Sequence, residues 1–308
     1  MAPVASPRAR HSGRIAIGIA AVMLGYLVAT AAASVLRNPS RPAILAPGPL
    51  LWTVVAGAVG GVTFGSLGRR LRLSTARRAG VLLVVIYSLT TLSNGVEAVL
   101  FVRGVSPLIL LAGLVQAAGL AVPAAIWWPP ETGGTLRPAL LSTLAGRPWW
   151  SWTWRVVLVA MLWVPVYFAF AAADAPFMHS YYSGSTTFTI PDGRLIALAE
   201  VLRGLLHAIV LGGLAALLGG GRRYAWRWLA AVFAVGNGWL PLLQRVDWPY
   251  FLRFANGLEI SGDAVVFAAL VVWLLTPARG GRTHRRRMRE HKADVRADRR
   301  ATTPPHHA

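Results

Sequence analysis

The residues best equipped for chemistry in this chain are ionisable and amide groups set inside long apolar stretches. Glu200, Arg203 and His207 follow one another at steps of three and four, which puts them on one face of a helix. Asn256, Glu259 and Asp263 repeat that spacing nearer the C-terminus, while Asn94 and Glu97 share a third stretch and Asn237 lies in a fourth. A charge at membrane depth costs several kcal/mol, so such groups are retained for pairing, conduction or catalysis. Arg203 keeps its charge and is expected to pair with Glu200, Glu97 or a carboxylate of the last stretch. Glu259 and Asp263 stand one turn apart and repel if both are ionised in a poorly hydrated place. Sharing a proton would couple protonation to movement; fixing helix register is the competing reading. His207 is either a neutral packing residue or the deepest relay of the group.

The elements that carry these groups are read from composition first. A 308-residue chain that is 55% apolar, with 13 tryptophans and a mean hydropathy of +0.53, has more apolar surface than one aqueous core hides. The expected fold is all-α: a polytopic helical membrane protein with about eight transmembrane helices. Counting roughly 20 residues per crossing, the spans fall near 15–36, 50–68, 79–102, 106–128, 155–173, 195–219, 226–245 and 254–276. Residues 1–14 form a basic N-terminal segment, 15–276 the membrane domain and 277–308 a basic tail expected to be largely disordered. Ala31, Ala32 and Ala33 resemble a signal-processing site, but the length of the first apolar run predicts an uncleaved anchor.

Arginine placement orients the bundle. With the N-terminus cytoplasmic, 24 of the 31 basic residues fall on the inner side, which predicts that both termini are cytoplasmic in a cell-membrane, multi-pass protein. The polar groups of the spans then all lie between the outer boundary and mid-membrane, as one outward-opening cavity requires. His207 is roughly 18 Å along its helix from Leu195, and Asp263 roughly 14 Å from Phe254. The tail, with ten basic and three acidic residues, suits anionic inner-leaflet lipids rather than specific nucleic-acid binding.

Other signals concern packing and the membrane interface. Gly57, Gly61 and Gly65 recur every fourth residue and leave a smooth helix face for another span or a membrane-protein partner. Trp149, Trp150, Trp152 and Trp154 are expected to anchor an interfacial segment ahead of the fifth span. Pro123, Pro165 and Pro241 mark candidate kinks. Residues 174–194 read as the longest outer loop, with a short strand permitted at 186–190. Asn94-Gly95-Val96-Glu97 and Asn256-Gly257-Leu258-Glu259 share an Asn-Gly-x-Glu pattern, the kind of echo that inverted repeats leave, and glycine at Gly238 and Gly257 is placed to open its helix locally.

Cysteine is absent, which removes disulfides, thiolate catalysis and thiolate metal ligation. No His-Glu-x-x-His, phosphate-loop or Gly-x-Ser-x-Gly pattern occurs, and neither a metal site nor a cofactor is expected. The Asn-Gly-Leu-Glu-Ile-x-x-Asp arrangement at Asn256–Asp263, after Trp248-Pro249-Tyr250, resembles uncharacterised multi-pass membrane proteins of high-GC bacteria. That resemblance implies a cell-membrane location and no particular reaction. Three functions remain open: handling of a small solute or ion in the polar cavity, a structural or regulatory membrane subunit, and a membrane-embedded enzyme acting on lipid or isoprenoid.

Overall fold

The computed structural model describes residues 7–37, 46–102, 105–128, 130, 147–183, 191–218 and 221–276. The tail reading and the short strand at 186–190 lie outside these residues. Within them the fold is all-α, without a sheet. Its helices are α1 (Pro7–Arg37), α2 (Pro47–Arg70), α3 (Thr75–Tyr87), α4 (Ser93–Phe101), α5 (Leu108–Trp127), α6 (Trp149–Ser183), α7 (Gly193–Leu218), α8 (Arg222–Phe233), α9 (Leu240–Gln244) and α10 (Tyr250–Leu275). Wide π turns join α3 to α4 over Ser88–Leu92 and α8 to α9 over Ala234–Trp239.

Among the described residues seven stretches are long and apolar enough to cross a membrane: Gly13–Arg37, Gly48–Arg70, Thr75–Phe101, Leu108–Trp127, Trp149–Met178, Gly193–Leu218 and Tyr250–Leu275. Their apolar residues face both ways. Phe64, Leu82, Leu120, Leu211 and Phe267 are buried in the core, whereas Leu24, Val99, Leu202, Ile209 and Trp273 are exposed on the outside of the bundle. Helices that are apolar all round belong in a bilayer, and the chain is a multi-pass all-α membrane protein. The eighth expected span, near 226–245, is helical from Arg222 to Gln244 but falls short on apolarity. Its three arginines, Asn237, Pro241 and Gln244 are the reason. It nevertheless runs antiparallel along α10 from end to end. Arg222 Nη2 donates to the Trp273 and Thr276 carbonyls at 3.2 and 2.9 Å, Trp226 Nε1 to the Val265 carbonyl at 2.9 Å, Gly238 packs on Ile260, and Trp239 packs on Gly257.

Small residues set the close contacts. A Cβ on Gly57 would lie 3.1 Å from Met23 Cα, one on Gly61 3.3 Å from Val22 Cβ, and one on Gly65 2.5 Å from the Trp128 ring. The smooth face of α2 is therefore taken up by α1 and by the residue after α5, within the same chain. Two expectations about helix ends are corrected. Helix α6 starts at Trp149 and runs to Ser183, so the tryptophan segment is the first two turns of the span and residues 174–183 are helix rather than loop. Trp149, Trp150 and Trp154 are exposed, while Trp152 packs against the core beneath the Arg147 guanidinium, 5.3 Å away. At that same end Arg147 and Arg155 donate to the Leu274 carbonyl at 3.5 and 2.9 Å, with Arg222 adding its two bonds to close the C-terminus of α10. Arg147, just outside the span, is held below the ordinary arginine range by burial first and then by the Arg155 and Arg222 charges.

Candidate functional site

The polar residues of the spans surround a cavity of about 820 Å³. It is lined by the C-terminal halves of α1, α6 and the α3–α4 stretch, by the start of α2, by the N-terminal halves of α5, α7 and α10, and by the last turns before and after α9. In an alternating bundle these half-helices share one side of the membrane. Asn94, Glu97, Arg203, Asn237, Asn256, Glu259 and Asp263 line the wall. Glu200 and His207 stand one layer behind it.

Arg203 organises that wall. It is buried, and its guanidinium donates from Nη1 to Glu200 Oε1 at 2.7 Å and from Nε to Ser93 Oγ at 3.2 Å, with Nη2 3.3 Å from Glu97 Oε2. Trp163 Nε1 donates to the other oxygen of Glu200 at 2.7 Å, and the Trp163 and Tyr167 rings lie about 6 Å from the guanidinium carbon. A planar, permanently charged fork suits a position that must hold two carboxylates and a hydroxyl at once. The approach of α7 to α6 that this requires depends on Gly204, where a Cβ would lie 2.6 Å from the Ala160 carbonyl oxygen.

His207, one turn deeper, has no exposure. Its Nε2 is 2.9 Å from Ser93 Oγ, its Nδ1 has no partner, and Trp163, Phe233 and Phe267 enclose the ring with centroids 5.0, 4.5 and 6.1 Å away. This aromatic box is where a neutral imidazole packs. Ser93, which serves both Arg203 and His207, was not singled out from the sequence, although it adjoins Asn94.

The two π turns meet beside this network. Asn94 Nδ2 donates to the carbonyls of Leu89 and Thr90 on its own helix, at 3.2 and 3.0 Å, and to that of Asn237 at 3.3 Å. Pro241 has no N–H for the carbonyl four residues back, which is that of Asn237. A side chain from another span supplies the donor. Wide turns of this sort leave carbonyls without helix partners and recur at functional positions. At Asn237-Gly238 the helix widens into a π turn, whereas at Asn256-Gly257 α10 is continuous, and Gly257 accommodates Trp239, whose ring a Cβ would meet at 2.7 Å.

Glu259 has a partner that sequence reading missed. Asp174, buried on α6, lies within electrostatic reach of it. Two carboxyls so placed repel one another when both are ionised. The sequence suggests a loop at Asp174 because the apolar run of the fifth span thins out near it, whereas the alanines around it, Ala171, Ala172, Ala173 and Ala175, favour the continued helix. Asp263, one turn below Glu259, has its Oδ1 buried without a partner, as has Asn237 Oδ1. Asp263 lies within electrostatic reach of Arg203.

On the other side of the cavity are Tyr26, Thr30, Gln116 and Gln244, with Arg37 and Arg245 at the rim. Gln244 Nε2 donates to the Tyr26 hydroxyl, and Gln116 Nε2 is 3.4 Å from both Thr30 Oγ1 and Gln244 Oε1. None of these was picked out from sequence. Among the described residues no three His, Asp or Glu side chains gather at metal-ligating range. Comparison with family models, curated proteins and solved structures finds no match, so the resemblance of the Asn256–Asp263 segment carries nothing beyond the membrane architecture.

Proposed function

We propose that this multi-pass protein admits a small polar solute or ion into a water-accessible cavity that opens to the cell exterior, with a proton held between Asp174 and Glu259 as part of the cycle. The observation that carries the reading is the imbalance of charge on the cavity side of the bundle. Five carboxylates, Glu97, Asp174, Glu200, Glu259 and Asp263, gather there around the buried guanidinium of Arg203, with other arginines of that side, Arg37, Arg245 and Arg253, standing at the rim and at the start of α10. Groups at that depth repel one another unless protons, water or a cationic solute offset them. Packing alone would be served by fewer charges, since a buried pair contributes little to stability compared with apolar contacts.

The orientation follows from a crossing by Arg222–Gln244. A helix paired with α10 along its whole length crosses whatever α10 crosses, which makes eight passes and sets both termini on one side. The arginines of the opposite face, among them Arg69, Arg70, Arg77, Arg147, Arg155 and Arg222, argue that this side is cytoplasmic. The test is a flux measurement in reconstituted vesicles, using labelled amino acids, short peptides, polyamines and sodium. The single-cysteine variant Ala171→Cys, on the cavity wall, is assayed before and after reaction with a bulky thiol reagent. Entry of at least one solute that the reagent blocks is the expected result. Flux indistinguishable from protein-free vesicles for every solute, with reagent and without, would overturn the reading.

A further inference from the structure

The cavity is electrically divided, and the division specifies a solute. Its deep wall is rich in acceptors that lack donors. Asp263 and Asn237 are both nearly fully buried, both line the cavity, and each presents an Oδ1 with no hydrogen-bond partner. A buried acceptor left without a donor is costly, and two on facing helices, next to the carboxyl of Glu259, call for a group with several N–H donors and a positive charge. Arg203 makes no hydrogen bond to either of these acceptors; its contacts go to Glu97, Glu200 and Ser93.

The rim has the opposite character. Arg37 at the end of α1 and Arg245 just after α9 line the mouth, exposed and within electrostatic reach of each other. Neither forms an ion pair with any described residue. Arg37 Nε only returns to the carbonyl of Ala33 at 3.3 Å, and Arg245 lies over Trp248 at 5.2 Å. Asp247 shares the rim but pairs with neither. Two guanidinium groups without a carboxylate partner among the described residues, at one edge of a cavity, make a receiver for a carboxylate or phosphate.

Spacing narrows the class. Arg245 follows Asn237 by eight residues along one helical stretch, roughly 12 Å at the helical rise. An α-amino acid, or a zwitterionic lipid headgroup, carries its charges only a few bonds apart and does not reach both ends. An extended peptide covers about 3.3–3.6 Å per residue, so three or four residues separate an N-terminal ammonium from a C-terminal carboxylate by the required amount. We infer that the cavity receives an elongated zwitterion of the short-peptide class, ammonium end inward against Asp263 and Asn237, anionic end outward against Arg37 and Arg245. This rests on the outward-cavity reading above and names the solute class for it.

The test uses the purified full chain in nanodiscs and isothermal titration with trialanine, N-acetyl-trialanine, trialanine amide and alanine. Trialanine is expected to bind at least about tenfold more tightly than either capped peptide, the loss expected for one charge-assisted contact, and more tightly than alanine. Asp263→Asn should erase the preference for the free amine while keeping that for the free carboxylate. Arg37→Gln with Arg245→Gln should do the reverse. Selective loss of one preference is a result that misfolding does not produce. Equal binding of the acetylated and free peptides, or no binding of trialanine, overturns the inference. The labelling rate of Ala171→Cys separates the two levels: a reactive cysteine that trialanine does not protect sinks the zwitterion alone, and an unreactive one sinks the water-accessible cavity with it.

Discussion

Replacing Arg203 by glutamine should be among the most destabilising single polar changes in the bundle, and the structure says how the cost divides. Glu200 is 1% exposed and loses its charge partner, while Glu97, with 36% of its side chain exposed, retains access to water. Removing one member of a buried pair costs about 3–5 kcal/mol because the other charge is left uncompensated, whereas a half-exposed pair contributes about 1 kcal/mol or less. Arg203→Gln should therefore lose about 3–5 kcal/mol, and Glu97→Gln about 1 kcal/mol or less. The double variant Glu200→Gln with Arg203→Gln should recover a large part of the loss, since Trp163 Nε1 can still donate to the amide oxygen. SDS titration in mixed micelles, followed by tryptophan fluorescence, measures all of these. A cost below about 1 kcal/mol for Arg203→Gln, or a double variant no more stable than the single one, would refute the assignment of Arg203 as the counter-charge of a desolvated Glu200.

Further outcomes follow from particular contacts. Asn94→Leu removes the donor to the Asn237 carbonyl and to two carbonyls of its own helix, and should cost about 1–3 kcal/mol in the same titration. Gly204→Val drives side-chain atoms against the Ala160 carbonyl and Trp163, and should cost about 1–3 kcal/mol or more, seen as a lower midpoint of thermal aggregation. With a proton held between Asp174 and Glu259 as proposed, alkaline titration should weaken the wild-type chain as that proton leaves and two like charges face each other. Asp174→Asn, whose amide can donate in its place, should remove that alkaline sensitivity; an unchanged pH profile would show that the two carboxyls share no proton.

The membrane class was legible in the sequence because it depends on bulk apolarity and segment length, which need no knowledge of partners. The site was legible where helical spacing alone governs it. Steps of three and four put Glu200, Arg203 and His207 on one buried face, and Arg203 pairs with two of the carboxylates expected for it. What stayed hidden depends on contacts between spans. In sequence Asp174 reads as a loop residue, whereas α6 continues to Ser183 and brings it close to Glu259. His207 shares the face but packs behind the wall, since spacing fixes direction around a helix and not which layer a neighbour occupies. The glycines of Gly238 and Gly257 look alike in sequence. Only the first lies in a wide turn, because Pro241 three residues on removes an N–H from the ladder, whereas Gly257 makes room for Trp239. The helical stretch from Arg222 to Gln244 falls short on apolarity for a related reason: packed along α10, it meets protein over part of its surface.

The account stands most directly on the face of α10 that water reaches. Single cysteines placed in this cysteine-free chain from Phe254 to Val266 can be probed in intact cells with a membrane-impermeant thiol reagent. The predicted result is a labelled stripe at Asn256, Glu259 and Ile260, which line the cavity, with Leu258 and Val265 on the outer surface of the bundle protected. Protection along the whole helix, or labelling that appears only after the cells are permeabilised, would contradict an outward-opening polar cavity.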